Sequence, residues 1–190
     1  MKFRMAMRVV LFLTLLTGLR VVDSKAKDSP SCSCDLKNLA LGAPAVQSST
    51  FSQNQAIAQK AVDGNRNSNI NHGSCSVTKR VKDPWWRVDL GEIHEVSMIS
   101  ITNRGDGSAG RINGAQIRIG NSLANNGNNN ELAATVVSIS AGETKTFKFK
   151  PIKGRYVNIF LRGTKHLTLC EVEVFGGKAL CDSEKTDRIC

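Results

Sequence analysis

Aromatic side chains make up only 5% of the 190 residues, and there are four prolines. No apolar run reaches the roughly 20 residues that a membrane-spanning helix needs, so no membrane span is expected. The sequence contains no GxxxxGK[ST], GxGxxG or HExxH, which removes the common nucleotide-binding and zinc-protease readings. The three histidines, His72, His94 and His166, sit in no triad or metal spacing, so the chain is not expected to be an enzyme. There is no N-x-S/T sequon for N-glycosylation. With so few aromatics there is no stacking platform for single-stranded nucleic acid, which is not an expected partner. What remains is ordinary: 41% hydrophobic and 22% charged residues, typical of a globular chain with room for one domain.

The chain starts with Lys2, Arg4 and Arg8 and then an apolar stretch from Val9 to Leu19. A basic start before a short apolar run reads as a secretory signal peptide, residues 1–24, with cleavage after Ser24. Its removal takes four basic residues and one acid, lowering the net charge from +10 to +7. The mature chain is then expected to be secreted and extracellular. In that setting its six cysteines are candidates for disulfides. Six allow 15 pairings, and spacing alone selects none. Residues 25–35 form a polar arm with Cys32 and Cys34, and residues 177–190 a charged tail with Cys181 and Cys190. These arms lie where they could staple the termini together or link chains into a homo-oligomer.

Between the arms, residues 36–176 read as one domain. Period-two alternation over short runs marks strands at 85–90, 97–102, 115–119, 144–150, 155–161 and 167–175. In the fourth of these, Phe147 and Phe149 fall on one face, Lys148 and Lys150 on the other. Gly and Asn crowd the gaps, notably 121–130. No helix longer than a turn or two is evident, with 55–62 the best candidate. Short strands without interleaved helices predict an all-β fold, a sandwich or jelly roll.

Three constellations could carry function. Asp63-Gly-Asn65-Arg-Asn67-Ser-Asn69 places oxygen donors at alternate positions, which suits a hard cation such as Ca2+. It is not an EF-hand: position six is Ser68 rather than Gly, and position twelve is Ser74 rather than Glu. The alternative is an Asn-rich turn held by Asx bonds. Second, Arg104 and Arg111 flank a Gly-rich loop, and the fixed donors of guanidinium suit sugar hydroxyls as well as carboxylates. The same loop contains Arg104-Gly105-Asp106, a tripeptide of the integrin-binding kind. Third, basic clusters at Lys79, Arg80 and Lys82 and at residues 145–155 could meet anionic glycans or membrane surfaces, or simply form solvated faces.

An ordered set of motifs then points to a family. Asn38-Leu-Ala, Gln47-Ser-Ser, Ala61-Val-Asp-Gly-Asn65, His72-Gly-Ser-Cys75, Pro84-Trp-Trp-Arg-Val-Asp-Leu90, Ile101-Thr-Asn-Arg-Gly-Asp106, Gly142-Glu-Thr-Lys-Thr-Phe147, Gly154-Arg-Tyr-Val157 and Leu169-Cys-Glu-Val-Glu-Val174 occur in sequence. Over residues 36–176 the chain resembles an F-type lectin, or fucolectin, of the kind related to tachylectin and pentraxin-fusion domains. The resemblance implies the jelly roll of the discoidin-like, galactose-binding class. It also implies a non-catalytic, secreted lectin acting in innate recognition, with cell-surface or microbial glycans, fucosylated by family analogy, as partners.

For the cation, the resemblance implies Ca2+ held by Asp63, Asn65, Ser74 and Glu171, with backbone carbonyls at Lys60 and Cys170. It implies a Cys75–Cys170 disulfide beside the ion. Because chain termini usually lie near each other on a domain surface, Cys32 and Cys34 are expected to pair with Cys181 and Cys190, within or between chains. For the sugar it implies Arg104 and Arg111 as hydrogen-bond donors. The family's His falls at Val77, its adjacent Cys pair at Gly107-Ser108, and its methyl-contacting aromatic at Ile70. The sugar site is therefore expected to be altered and weakened. A domain retained for adhesion or structure is the alternative. A second family disulfide falls at Leu132 and Phe149, where an apolar core contact is expected in its place.

Overall fold

The computed structural model describes residues 36–176. The expected signal peptide, both cysteine arms and the pairing of Cys32, Cys34, Cys181 and Cys190 lie outside the described residues.

Ten strands form within this span. The central pair is unusually long: β4 covers Trp85–Thr102 and β7 covers Thr144–Phe160, antiparallel to each other. The sequence reading broke each into two runs. Two register shifts explain why: the pairing slips between Asp89 and His94 and again between Val96 and Met98. Gly91, at φ +84°, lies in the first slip, where an L side chain is disfavoured. Such bulges bend a strand while leaving it continuous.

On one side of the bend, β1 (Ala45–Gln47), β4, β7, β5 (Gln116–Gly120) and β6 (Glu131–Thr135) pair in that order. On the other, β10 (Glu171–Gly176) pairs with residues 96–102 of β4. Both halves turn alternate residues onto one core. Trp86, Val88, Ile117, Ile119, Val157 and Ile159 come from the first half, Ile99, Ile101, Val172 and Val174 from the second. The Trp86 indole N–H, fully buried, donates to the Ala58 carbonyl at 2.9 Å. This is the antiparallel all-β architecture that the alternation predicts.

Four very short strands complete the domain: β2 (Ser76–Val77) with β9 (Thr168–Leu169), and β3 (Val81–Lys82) with β8 (Thr164–Lys165). The expected helix near 55–62 amounts to one 3-10 turn, Ala58–Ala61. Among the described residues no helix is long and apolar enough to cross a membrane.

One expectation is corrected. Phe149 packs half-buried against the core, but Leu132 is 47% exposed. Leu132 lies on β6, the last strand of its sheet. The two side chains do not form a buried contact in place of a disulfide.

Candidate functional site: a cavity and the acidic cluster beside it

Residues 63–71 form a ladder of Asx turns. The side-chain Oδ1 of Asp63, Asn65, Asn67 and Asn69 each accepts the backbone N–H two residues on, at 2.9–3.0 Å. Alternate oxygen-bearing residues therefore do local work: they hold a segment with little regular structure in one shape.

Glu171, at the start of β10, reaches this ladder. Its Oε1 accepts the Gly64 N–H at 3.1 Å. Its Oε2 is buried with no hydrogen-bond partner, and the residue is 1% exposed. Burial raises the Glu171 carboxyl to about 7, and the nearby charges of Asp63 and Glu173 push in the same direction. A buried acid beside other acids, with an orphaned oxygen, is where a cation would offset an unfavourable burial. Lys60 and Arg66 do not supply one. Lys60 Nζ lies 3.6 Å from Asp63 Oδ2, and Arg66 is bidentate to Glu173. Ser74, fully buried, directs its hydroxyl to the Asn69 carbonyl at 2.9 Å. The next residue, Cys75, forms a disulfide with Cys170, as the family resemblance implies. The carboxylate, amide and hydroxyl oxygens of Asp63, Asn65, Ser74 and Glu171 are a donor set that fits a hard cation.

The residues that the family resemblance places at the sugar site converge as well. Arg104, Arg111, Ile70 and Val77 line a single cavity of about 290 Å³ together with Phe51 and Gln55. Arg104 is held in place by Asp106, whose carboxylate accepts Nε at 2.9 Å and Nη2 at 2.8 Å. The ion pair holds the Asp106 carboxyl down at about 2. Asp106 Oδ1 also accepts the Ile70 N–H at 3.1 Å, linking the arginine loop to the Asx ladder. Gly105 adds a second link, donating its N–H to the Ser68 carbonyl at 2.8 Å. A Cβ at 105 would fall 2.5 Å from Ser68 Oγ, so the two loops approach this closely only with glycine there. Arg111 differs from Arg104. Its guanidinium hydrogen-bonds to no described residue, and burial together with the Arg104 charge pushes its pKa down. A half-buried cation with free donors is poised for a polar ligand.

Phe51, Ser52, Gln55 and Asn71 also line the cavity and were not singled out in the sequence. Phe51 is 61% exposed and sets its ring edge-on to His166, with centroids 6.1 Å apart. An aromatic left exposed in a polar loop is the one signal that could have marked this segment. Gly107 and Ser108 do not line the cavity.

A family model described as a NedA-like, galactose-binding domain matches residues 60–159. Fucolectin-5 of Anguilla japonica is 42% identical over 175 residues, covering 90% of this chain and 92% of the relative. The chain is an F-type lectin. The lectin is a binding module rather than an enzyme, as its relatives are. Among solved structures, a fucolectin from the serum of striped bass, Morone saxatilis, superposes with a TM-score of 0.74 at 46% identity. That match covers 77% of the lectin but half of the bass chain. The lectin domain of lectinolysin, solved with Lewis B antigen, gives 0.62 at 33% identity, covering 73% and 96% of the two chains. These matches agree with the discoidin-like, galactose-binding class of fold.

Proposed function

We propose that this lectin binds a fucose-class sugar in the cavity between Phe51, Ile70, Val77, Arg104 and Arg111, and holds Ca2+ at Asp63, Asn65, Ser74 and Glu171. The observation that carries the sugar reading is that two arginines and the apolar side chains of Phe51, Ile70 and Val77 line one cavity. Sugars present both hydroxyls and apolar faces, and this cavity meets both. Two of the five N–H groups of Arg104 are engaged by Asp106, which fixes the guanidinium plane and leaves the rest as donors. Arg111 brings its full set. Relatives named as fucolectins, and a structural neighbour solved with the fucosylated Lewis B antigen, support this sugar class.

The site is weakened relative to its family. Val77, buried on the cavity wall, offers no hydrogen bond where the resemblance places a histidine. One neutral hydrogen bond contributes about 1 kcal/mol, close to one decade in affinity at most. A single site of this kind binds feebly, and multivalent presentation would compensate. Secretion and a part in innate glycan recognition belong to the same reading, through the expected signal peptide and the family.

The cation acts on the sugar through the shared loops. Ile70 and Asp106 are bonded to each other across the Asx ladder and the arginine loop, so whatever orders the ladder also orders the cavity wall. Fixing the wall in advance lowers the ordering cost of binding. The adhesion alternative through Arg104-Gly105-Asp106 is disfavoured. Arg104 and Asp106 are bonded to each other, and each side chain is only 16% exposed.

Titration calorimetry with L-fucose tests the reading. Wild-type chain should bind, and chelator should weaken the binding. Arg111→Ala should abolish measurable heat, while Val77→His should strengthen binding several-fold. Unchanged affinity in Arg111→Ala would remove the cavity from consideration.

A further inference from the structure

We propose that the β3–β8 ribbon beside the cavity receives anionic groups on the glycan, sulfate esters above all, so that the lectin prefers acidic fucosylated chains to neutral ones. The inference builds on the cavity reading above and adds the chemistry of what the sugar is attached to.

Lys79, Arg80 and Lys82 on one strand and its approach, and Arg162 and Lys165 on the other, are all exposed. None of the five is ion-paired among the described residues. This sets them apart from Lys60, Arg66, Arg104, Lys153 and Arg155, which all have acidic partners. The ribbon has one acid, Asp83, and its Oδ1 is engaged by the Gly163 N–H at 2.7 Å. The register sets Val81 opposite Lys165 and Lys82 opposite Thr164, so the ribbon carries Lys79 and Lys165 on one face and Arg80 and Lys82 on the other, with no ion pair among the described residues to neutralise either set. Such a patch attracts anions and speeds their capture, at some cost in self-repulsion.

The ribbon is continuous with the cavity. Val77 lines the cavity, and its carbonyl accepts the N–H of Phe51, another lining residue, at 2.9 Å. Two residues after Val77 comes Lys79, whose N–H is held by Ser49 Oγ at 3.1 Å. On the partner strand, His166 follows Lys165 and packs against the Phe51 ring. Phe51 is thus the rim shared by cavity and ribbon. At about 3.3 Å per residue, Lys79 lies within about 7 Å of Val77 along the chain, and Lys82 within about 17 Å. An oligosaccharide that places one sugar in the cavity and leaves past Phe51 can cover that distance. This continuity favours a glycan over a lipid surface as the source of the anion.

The test uses the full chain and three probes: a neutral fucosylated oligosaccharide, the same compound with one sulfate ester, and a sulfated oligosaccharide without fucose. Affinities are measured at low and high salt, for wild type and for Lys79→Ser, Arg80→Ser, Lys82→Ser and Lys165→Ser combined. All four positions are exposed, so the melting curve should barely move. The sulfated fucoside should bind about tenfold tighter than the neutral one at low salt. High salt and the fourfold replacement should each remove that advantage, with neutral affinity unchanged. A sulfate that gains nothing in wild type, or a gain that survives the replacement, overturns the inference while leaving the cavity reading intact. Salt-sensitive binding of both sulfated probes without any binding of the neutral fucoside would sustain the ribbon and overturn the cavity instead.

Discussion

Arg104 and Arg111 share a cavity but stand in opposite electrostatic situations. Arg104 has a carboxylate partner, and its pKa is raised by the hydrogen bonds to Asp106. Arg111 has none and is pushed the other way by burial. Asp106 is consequently the residue that lets two guanidinium groups coexist, and its protonation should matter. With its carboxyl lowered to about 2, its contribution is full above the ordinary Asp value of about 3.9 and lost as pH falls towards 2. Between pH 5 and 8 this pair stays intact, so fucose affinity should be flat across that window as far as Arg104 is concerned. An affinity midpoint between pH 5 and 7 that vanishes in Asp106→Asn would contradict this. Asp106→Asn itself should cost on the order of 1 kcal/mol in stability. All four residues assigned to the sugar from the family resemblance line the cavity. Phe51 and Gln55 were not legible, because a loop wall has neither periodicity nor a fixed motif.

At the scale of elements, strand detection succeeded where alternation runs for five residues or more and failed below that. Residues 85–90 and 144–150 announce themselves by strict in–out patterning, and β5 does the same with Ile117 and Ile119. β2, β3 and β8 have two residues each, too few to show a period, while the single run read at 167–175 divides into β9 and β10. They matter nonetheless, since β2 and β9 bring Cys75 and Cys170 together. That disulfide joins residues 95 apart in sequence, between two segments with few backbone pairings of their own. Closing a loop of that length removes enough unfolded-state entropy to contribute about 4.7 kcal/mol. Cys75→Ser with Cys170→Ser should therefore lower unfolding stability by about that much in denaturant titration, with the sheet core still formed. A loss under 1 kcal/mol would mean that the Asx ladder and β10 are held together by other contacts.

For the molecule as a whole, the decisive question is what neutralises Glu171. Burying a carboxylate with one orphaned oxygen opposes folding, and the sheet around it gives no means of escape: Glu171 is fixed by its pairing with Thr102 of β4. Its sequence position said nothing of this, because the partners that meet it, Asp63 and Gly64, are more than 100 residues earlier. Only the family resemblance joined them before the fold was seen. If Ca2+ fills the gap, it binds the folded chain far better than the unfolded one, where these oxygens are scattered. Linkage then requires stabilisation, about 2.7 kcal/mol when free calcium exceeds its dissociation constant a hundredfold. For a domain of this size that corresponds to a rise in Tm of about 10 °C. Differential scanning calorimetry on metal-stripped protein, with calcium added back, should show the rise. Glu171→Gln should remove the response to calcium while leaving a folded protein, because the neutral amide can remain buried without a cation. Two identical melting curves, with and without calcium, for wild-type protein proven free of metal would show that the acidic cluster is stabilised by some other means.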